Sequence, residues 1–174
     1  MNNVSDDARE RLRLAALRFS DWLERSGTSV VFAESCTAGL VSASLASVPG
    51  ISSRLCGSAV TYQEPTKVQW LEVSPRLLHD HSAVSEPVTV AMAQGVLAKT
   101  LQADLAIAVT GHLGPAAPVP LDGVVFIAAF HRRQPAFRDC QRQRLQATAR
   151  VDRQFEAAAR VLEVSLEMTT KCRG

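Results

Sequence analysis

What this sequence lacks narrows it first. No apolar stretch in its 174 residues approaches the roughly 18 that a membrane span needs, so a membrane-spanning protein is not expected. Charge of one sign is also missing. Nineteen Lys and Arg against 17 Asp and Glu leave a net +2 spread along the chain, too little to argue for a nucleic-acid partner. The four cysteines (Cys36, Cys56, Cys140 and Cys172) have no C-x-x-C spacing, and His79, His81, His112 and His131 complete no zinc pattern. Residues 1–7 are polar and acidic and do not read as a secretory signal. A cytosolic chain with reduced, unpaired thiols is therefore expected. No internal repeat or low-complexity segment interrupts it.

What is present is an ordinary globular balance, 47% apolar and 21% charged, suited to one domain over residues 1–174 with a buried core. Helices are expected over about 5–26, 37–47, from Pro65, 75–78, from Ser85 to 101, and 148–168. Strands are expected over about 28–33, 55–62, 104–109, 124–130 and 137–145. The run Leu105-Ala106-Ile107-Ala108-Val109 has no polar alternation, as in a strand buried on both faces. Strands alternating with helices, then two strands joined without one, imply an α/β fold: a three-layer α/β/α sandwich with a mixed, mostly parallel sheet.

Chemistry concentrates at Ala33-Glu34-Ser35-Cys36-Thr37-Ala38-Gly39, between an expected strand and helix. Open α/β sheets place ligands at strand C-terminal ends, and a helix start offers free N–H groups and a positive dipole end. A hydroxyl held there can attack a carbonyl, with N–H groups ready for the oxyanion. Ser35 or Thr37 equally suits a plain helix cap. Cys36 competes with Ser35 as nucleophile, or is a small packed residue. Tyr62, the single tyrosine, ends a strand, and Lys67 falls in the first turns of a helix, where opposition to the dipole tends to lower its pKa. Such a lysine can take a proton from serine and a tyrosine can relay it, whereas rim and surface residues do neither. Ser85 suits a cap, the Thr110–Pro115 loop a turn, and His112 an exposed loop position. The basic stretch His131-Arg132-Arg133, with Arg138, Arg142 and Arg144, reads as a solvated edge able to attract an anion.

Four motifs then occur in order: Ala33-Glu34-Ser35-Cys36-Thr37-x-Gly39, Val60-Thr61-Tyr62-x-x-x-x-Lys67, Ala83-Val84-Ser85-Glu86-Pro87-Val88 and Thr110-Gly111-x-x-Gly114-Pro115. Together they resemble the C-terminal domain family of the competence/damage-inducible protein CinA, which includes stand-alone nicotinamide-nucleotide amidases. The resemblance implies hydrolysis of the carboxamide of nicotinamide mononucleotide to nicotinic acid mononucleotide and ammonia. It implies Ser35 as nucleophile, Lys67 as its base and Tyr62 in the proton path. Thr37 and the N–H groups after Ser35 would hold the oxyanion or the ligand phosphate. Glu34, Cys36 and Gly39 of the same motif would contribute to the substrate site, with the loop from Thr110 to Pro115, Thr110, Gly111 and Gly114 above all, as a further wall. Arg150 and Arg153 are the candidates for a phosphate-binding arginine. No metal or organic cofactor is implied; the partner is a small pyridine nucleotide, and the chain a homo-oligomer, with Trp22 and Trp70 at an interface or in the core.

The chain departs from the family pattern at several places. Ala38 stands where glycine is usual, Gln63-Glu64-Pro65-Thr66 where Ser-Asn-Glu-Ala is typical, and His112-Leu113 where Ile-Ala is. Residues 116–120 replace a glycine-rich stretch, and Ala147-Thr148-Ala149-Arg150 replaces a Gly-Asp-Arg segment. Two alternatives follow: a catalytically impaired nucleotide-binding or regulatory homologue, or an amidase for a different carboxamide.

Overall fold

Side-chain alternation through the central strands sorts the apolar residues onto two faces, and that sorting makes the layers. The computed structural model describes residues 4–115 and 117–171, without the side chains of 4–5, 135–138 and 170–171. The polar residues 1–3, Ala116, Cys172 and the Arg138 side chain therefore lie outside the described residues. In chain order the elements are α1 (Val4–Ser26), β1 (Val30–Glu34), α2 (Leu40–Ala46), β2 (Leu55–Val60), α3 (Glu64–Leu71) and α4 (Pro75–His81). They continue with α5 (Glu86–Lys99), β3 (Leu105–Gly111), β4 (Val124–His131), β5 (Gln134–Arg144) and α6 (Arg150–Lys171).

The sheet order is β2-β1-β3-β4-β5. β1 pairs in parallel with β2 and β3, while β4 runs antiparallel to both β3 and β5, giving the expected mixed sheet. On one face Val30, Phe32, Leu105, Ile107, Val109, Val125 and Ile127 pack with Phe19 and Leu23 of α1, Val41 and Leu45 of α2, and Val161 and Leu162 of α6. On the other, Val31 and the small side chains Ala33, Ala106, Ala108 and Ala128 meet Leu71, Leu78, Val88, Met92 and Val96 of α3, α4 and α5. Helices on both faces complete the three layers. Trp22 stacks on Phe19 with ring centroids 5.8 Å apart and packs against the first cluster, whereas Trp70 is half exposed. Among the described residues no helix is long and apolar enough to cross a membrane, and no three His, Cys, Asp or Glu converge to hold a metal ion.

Element boundaries move where side chains claim the backbone. β1 starts at Val30 because Ser29 is spent on the neighbouring loop: its N–H and hydroxyl donate to Asp104 Oδ2 at 3.1 and 2.9 Å. β5 begins at Gln134, earlier than expected, because only Arg132 and Arg133 separate it from β4. The Arg132 guanidinium then donates to the carbonyls of Leu97, Thr100 and Ala103, tying the turn between β4 and β5 to the end of α5.

The helix layer that carries Lys67 is set by one close approach. A Cβ built on Gly95 of α5 would lie 2.0 Å from the carbonyl oxygen of Leu71, so only glycine lets the end of α3 rest on α5. Leu71 sits one turn beyond Lys67 on the same helix. Gly95→Ala is expected to push α3 outward and to lower stability by about 2 kcal/mol, read from the urea midpoint.

Candidate active site

The site begins with a carboxylate that does not line its cavity. Glu34, the last residue of β1, is fully buried. One carboxylate oxygen accepts the Thr37 hydroxyl at 2.8 Å and the Val41 N–H at 3.1 Å. The other accepts the Ser42 N–H and the Ser58 hydroxyl, each at 3.0 Å. Glu34 thus ties the end of β1 to β2 and to the first turn of α2. This corrects the expectation that Ser35 or Thr37 caps the helix. The capping position is Gly39, at φ 93°, and α2 starts at Leu40. A two-oxygen carboxylate takes two helix N–H groups at once, where a hydroxyl takes one. It also takes the Val41 and Ser42 N–H groups of that helix start.

With β1 and α2 pinned, residues 35–39 turn tightly between them. The Ser35 N–H donates to the Val109 carbonyl at 3.2 Å, holding the serine at the C-terminal edge of the sheet. Lys67 reaches it from α3: Nζ donates to Ser35 Oγ at 3.0 Å and to the Thr61 carbonyl at 2.5 Å. Only 1% of Lys67 is exposed. Burial pulls its pKa down from the ordinary lysine value to about 8, against smaller upward contributions from Cys36 and Glu64. The direction is that expected from the sequence, but desolvation and not the helix dipole is the main cause. Burial acts oppositely on the neighbouring Cys36 thiol and pushes it up to about 12, so it stays protonated at neutral pH and is a poor nucleophile.

A cavity of about 270 Å³ opens above this pair, lined by Ser35, Cys36, Tyr62 and Lys67 on one side and by Gly111–Pro115, Ala117 and Arg150 on the other. Ala83 and Val84 close a third side. The structure therefore brings Ser35, Cys36, Tyr62, Lys67, Gly111, Gly114 and Arg150 together. It does not bring Glu34, Thr37, Gly39, Thr110 or Arg153 to this cavity. Thr37 and Thr110 are fully buried. Thr37 spends its hydroxyl on Glu34, and its carbonyl accepts Gln154 Nε2 at 3.1 Å. The Thr110 hydroxyl lies 2.7 Å from that of Thr89, which donates to the Ser85 carbonyl, so Thr110 is the donor of the pair. Ser85 occupies the capping position of α5, but its hydroxyl bonds the Ser82 carbonyl.

Sequence reasoning missed Ala83, Val84 and Ala117 as lining residues, while the half-buried His112 belongs to the loop expected as a wall. The signal for the first two was their place beside Ser85 in a quoted motif; apolar side chains carry no chemical mark of their own. Ala38, where glycine is usual, is exposed and does not line the cavity; its mark is a φ of 52°, in the left-handed region.

The arginines divide by what they are bonded to. Arg153, nearly buried, makes a two-pronged contact with the Asp122 carboxylate at 2.7 and 2.9 Å and donates to the Ala147 carbonyl. Its charge is thus already matched. Arg150, the exposed first residue of α6, donates to the Tyr62 hydroxyl at 2.8 Å and to the Gly114 carbonyl. Tyr62 lies half exposed at the rim, its hydroxyl turned to Arg150 and not to Ser35 or Lys67. Beyond Arg150 a second cavity of about 720 Å³ adjoins the first, lined by Arg144, Thr148, Arg150 and Arg153 together with Asp122 and the shared Leu113, Gly114, Pro115 and Ala117.

Comparison with known proteins agrees with the resemblance. The profile of the CinA C-terminal domain matches residues 14–168. A CinA-like protein of Mycobacterium tuberculosis is 46% identical over 95 residues, covering 55% of this chain and 22% of that protein. A CinA-like protein of Prochlorococcus marinus is 47% identical over 95 residues with the same coverage. The matched stretch thus spans about a fifth of the length of these relatives. Among solved structures, competence damage-inducible protein A of Klebsiella pneumoniae superposes with a TM-score of 0.84 at 28% identity, covering 91% of this chain and 97% of that one. A CinA superfamily protein of Escherichia coli gives 0.82 at 26% identity, with 90% of each chain covered.

Removing the Glu34 carboxylate leaves four donors without their acceptor. Glu34→Ala is expected to cost at least about 3 kcal/mol in denaturant unfolding, well above a typical substitution. Ala38→Gly relieves a left-handed residue without touching the cavity. It is expected to stabilise by about 1 kcal/mol and to raise Tm by about 2–4 °C, read by calorimetry.

Proposed function

Because this chain belongs to the CinA C-terminal domain family, and because a buried lysine meets a serine at its cavity floor, we propose that it is an amidohydrolase. Its substrate is the carboxamide of nicotinamide mononucleotide. The observation that carries this reading is the 3.0 Å contact between Lys67 Nζ and Ser35 Oγ at a site where the lysine is desolvated. As an ammonium, Lys67 donates to both Ser35 Oγ and the Thr61 carbonyl. As a neutral amine it keeps one N–H on Thr61 and turns its lone pair to Ser35, whose O–H becomes the donor. Burial brings that neutral form within reach of physiological pH.

The reaction then runs in two halves. Neutral Lys67 takes the Ser35 proton as Oγ forms a bond to the carboxamide carbon, giving a tetrahedral oxyanion. The amide N–H groups of Cys36 and Thr37 follow the nucleophile in the chain and are the donors for that oxyanion. The Lys67 ammonium returns its proton to the departing nitrogen, ammonia leaves, and an ester on Ser35 remains. Water, deprotonated by Lys67, attacks the ester carbon and the acid departs with Oγ reprotonated. The pair of adjoining cavities suits a ligand with a carboxamide at one end and a phosphate at the other. Ser35 lies in the smaller cavity, while Arg144 and Arg150 line the larger.

Purified protein is expected to release ammonia from nicotinamide mononucleotide, and Ser35→Ala is expected to lower kcat at least a thousandfold. Lys67→Arg keeps the charge but cannot deprotonate, so it should be equally inactive. Because the base must be neutral, kcat/KM should rise with pH as one proton leaves, with its midpoint near 8 and not near the ordinary lysine value. A flat profile between pH 6 and 9, or full activity in Ser35→Ala, would sink the mechanism.

A further inference from the structure

Arg150 sits where the two cavities meet and lines both. Its guanidinium spans the cleft mouth, bonding the Tyr62 hydroxyl on one wall and the Gly114 carbonyl on the other. Both acceptors are neutral. Among the described residues no carboxylate lies within ion-pair distance of Arg150, whereas Arg153 one turn on is matched by Asp122. Arg144, the other exposed arginine of the larger cavity, donates to the Asp122 and Pro120 carbonyls and lies close enough to help lower the Asp122 pKa. Arg150 is thus the cationic group on the shared wall whose charge is not met by a carboxylate.

We infer that Arg150 is an anion-operated latch: a dianion entering the larger cavity takes the guanidinium away from Tyr62 and so frees the tyrosine hydroxyl beside the reaction centre. A fork of two N–H groups on an oxyanion is stronger than the same groups on a phenol and a carbonyl, so the exchange is downhill. The Arg150–Tyr62 contact is exposed and correspondingly cheap to break. For its catalytic consequence the inference rests on the amidase reading. Recognition of the phosphate would be coupled to release of Tyr62, so a carboxamide without a phosphate would be a poor substrate for lack of the switch as well as of the contact.

The test is binding of inorganic phosphate at fixed ionic strength, by calorimetry, to the wild type, Tyr62→Phe and Arg150→Gln. Both side chains are exposed, so the fold is not at stake. Tyr62 competes with the anion for Arg150, so its hydroxyl opposes binding. Tyr62→Phe should bind phosphate about 2–10-fold more tightly than the wild type, the worth of one exposed hydrogen bond. Arg150→Gln should bind at least tenfold more weakly. Unchanged or weaker binding by Tyr62→Phe, wild-type binding by Arg150→Gln, or no binding by the wild type would each overturn the latch. These outcomes are independent of turnover. A wild type that binds phosphate as described but releases no ammonia from the mononucleotide would retire the amidase reading and leave the latch standing.

Discussion

The Glu34 carboxylate is the constraint on which the rest depends. It is an ionisable group with no solvent exposure, and burying it is tolerable only because four donors from three segments converge on it. That convergence forces β1, β2 and the first turn of α2 into one arrangement. It leaves five residues to connect a strand to a helix, and Ser35 is the first of them, with its hydroxyl above the sheet edge. The nucleophile candidate is therefore positioned by a residue that never reaches the cavity.

A second burial does the chemical tuning. Gly95 lets α3 rest against α5, and α3 in turn drives Lys67 into the wall beneath Ser35. Deprived of water, the ammonium is held by a carbonyl and a hydroxyl, neither of which offers full charge compensation. The same environment that lowers Lys67 raises Cys36, so one dry pocket distinguishes the serine from the adjacent thiol. At the cleft mouth water returns, and there the exposed Arg150 and Tyr62 meet through a contact weak enough to be exchanged.

Much of the fold was legible along the chain. The apolar runs that became β3 and β4, the prolines opening α3, α4 and α5, and the glycine ending α1 all state local preferences. The motif containing Ser35 and the pair Tyr62 and Lys67 were legible too, because hydroxyl, phenol and amine groups at strand ends are chemically conspicuous. Glu34 was not legible as a brace. Its donors Ser42 and Ser58 are ordinary serines until β2 is laid beside β1. Arg150 and Arg153 could not be told apart either: they lie three residues apart in one helix, and only the position of Asp122 on a separate loop decides which charge is matched.

By itself, then, the sequence determined the order and type of the elements, the layering that follows from their apolar patterns, and the residue types available for chemistry. These are properties of single residues and of spacings within one element. Tertiary structure alone decided the protonation balance of Lys67 and Cys36, the withdrawal of Thr37 and Thr110 from the cavity, and the meeting of Arg150 with Tyr62. Burial, charge compensation and competition for a donor depend on groups far apart in the chain, and they acquire values only once the sheet and its two helical layers have closed around them.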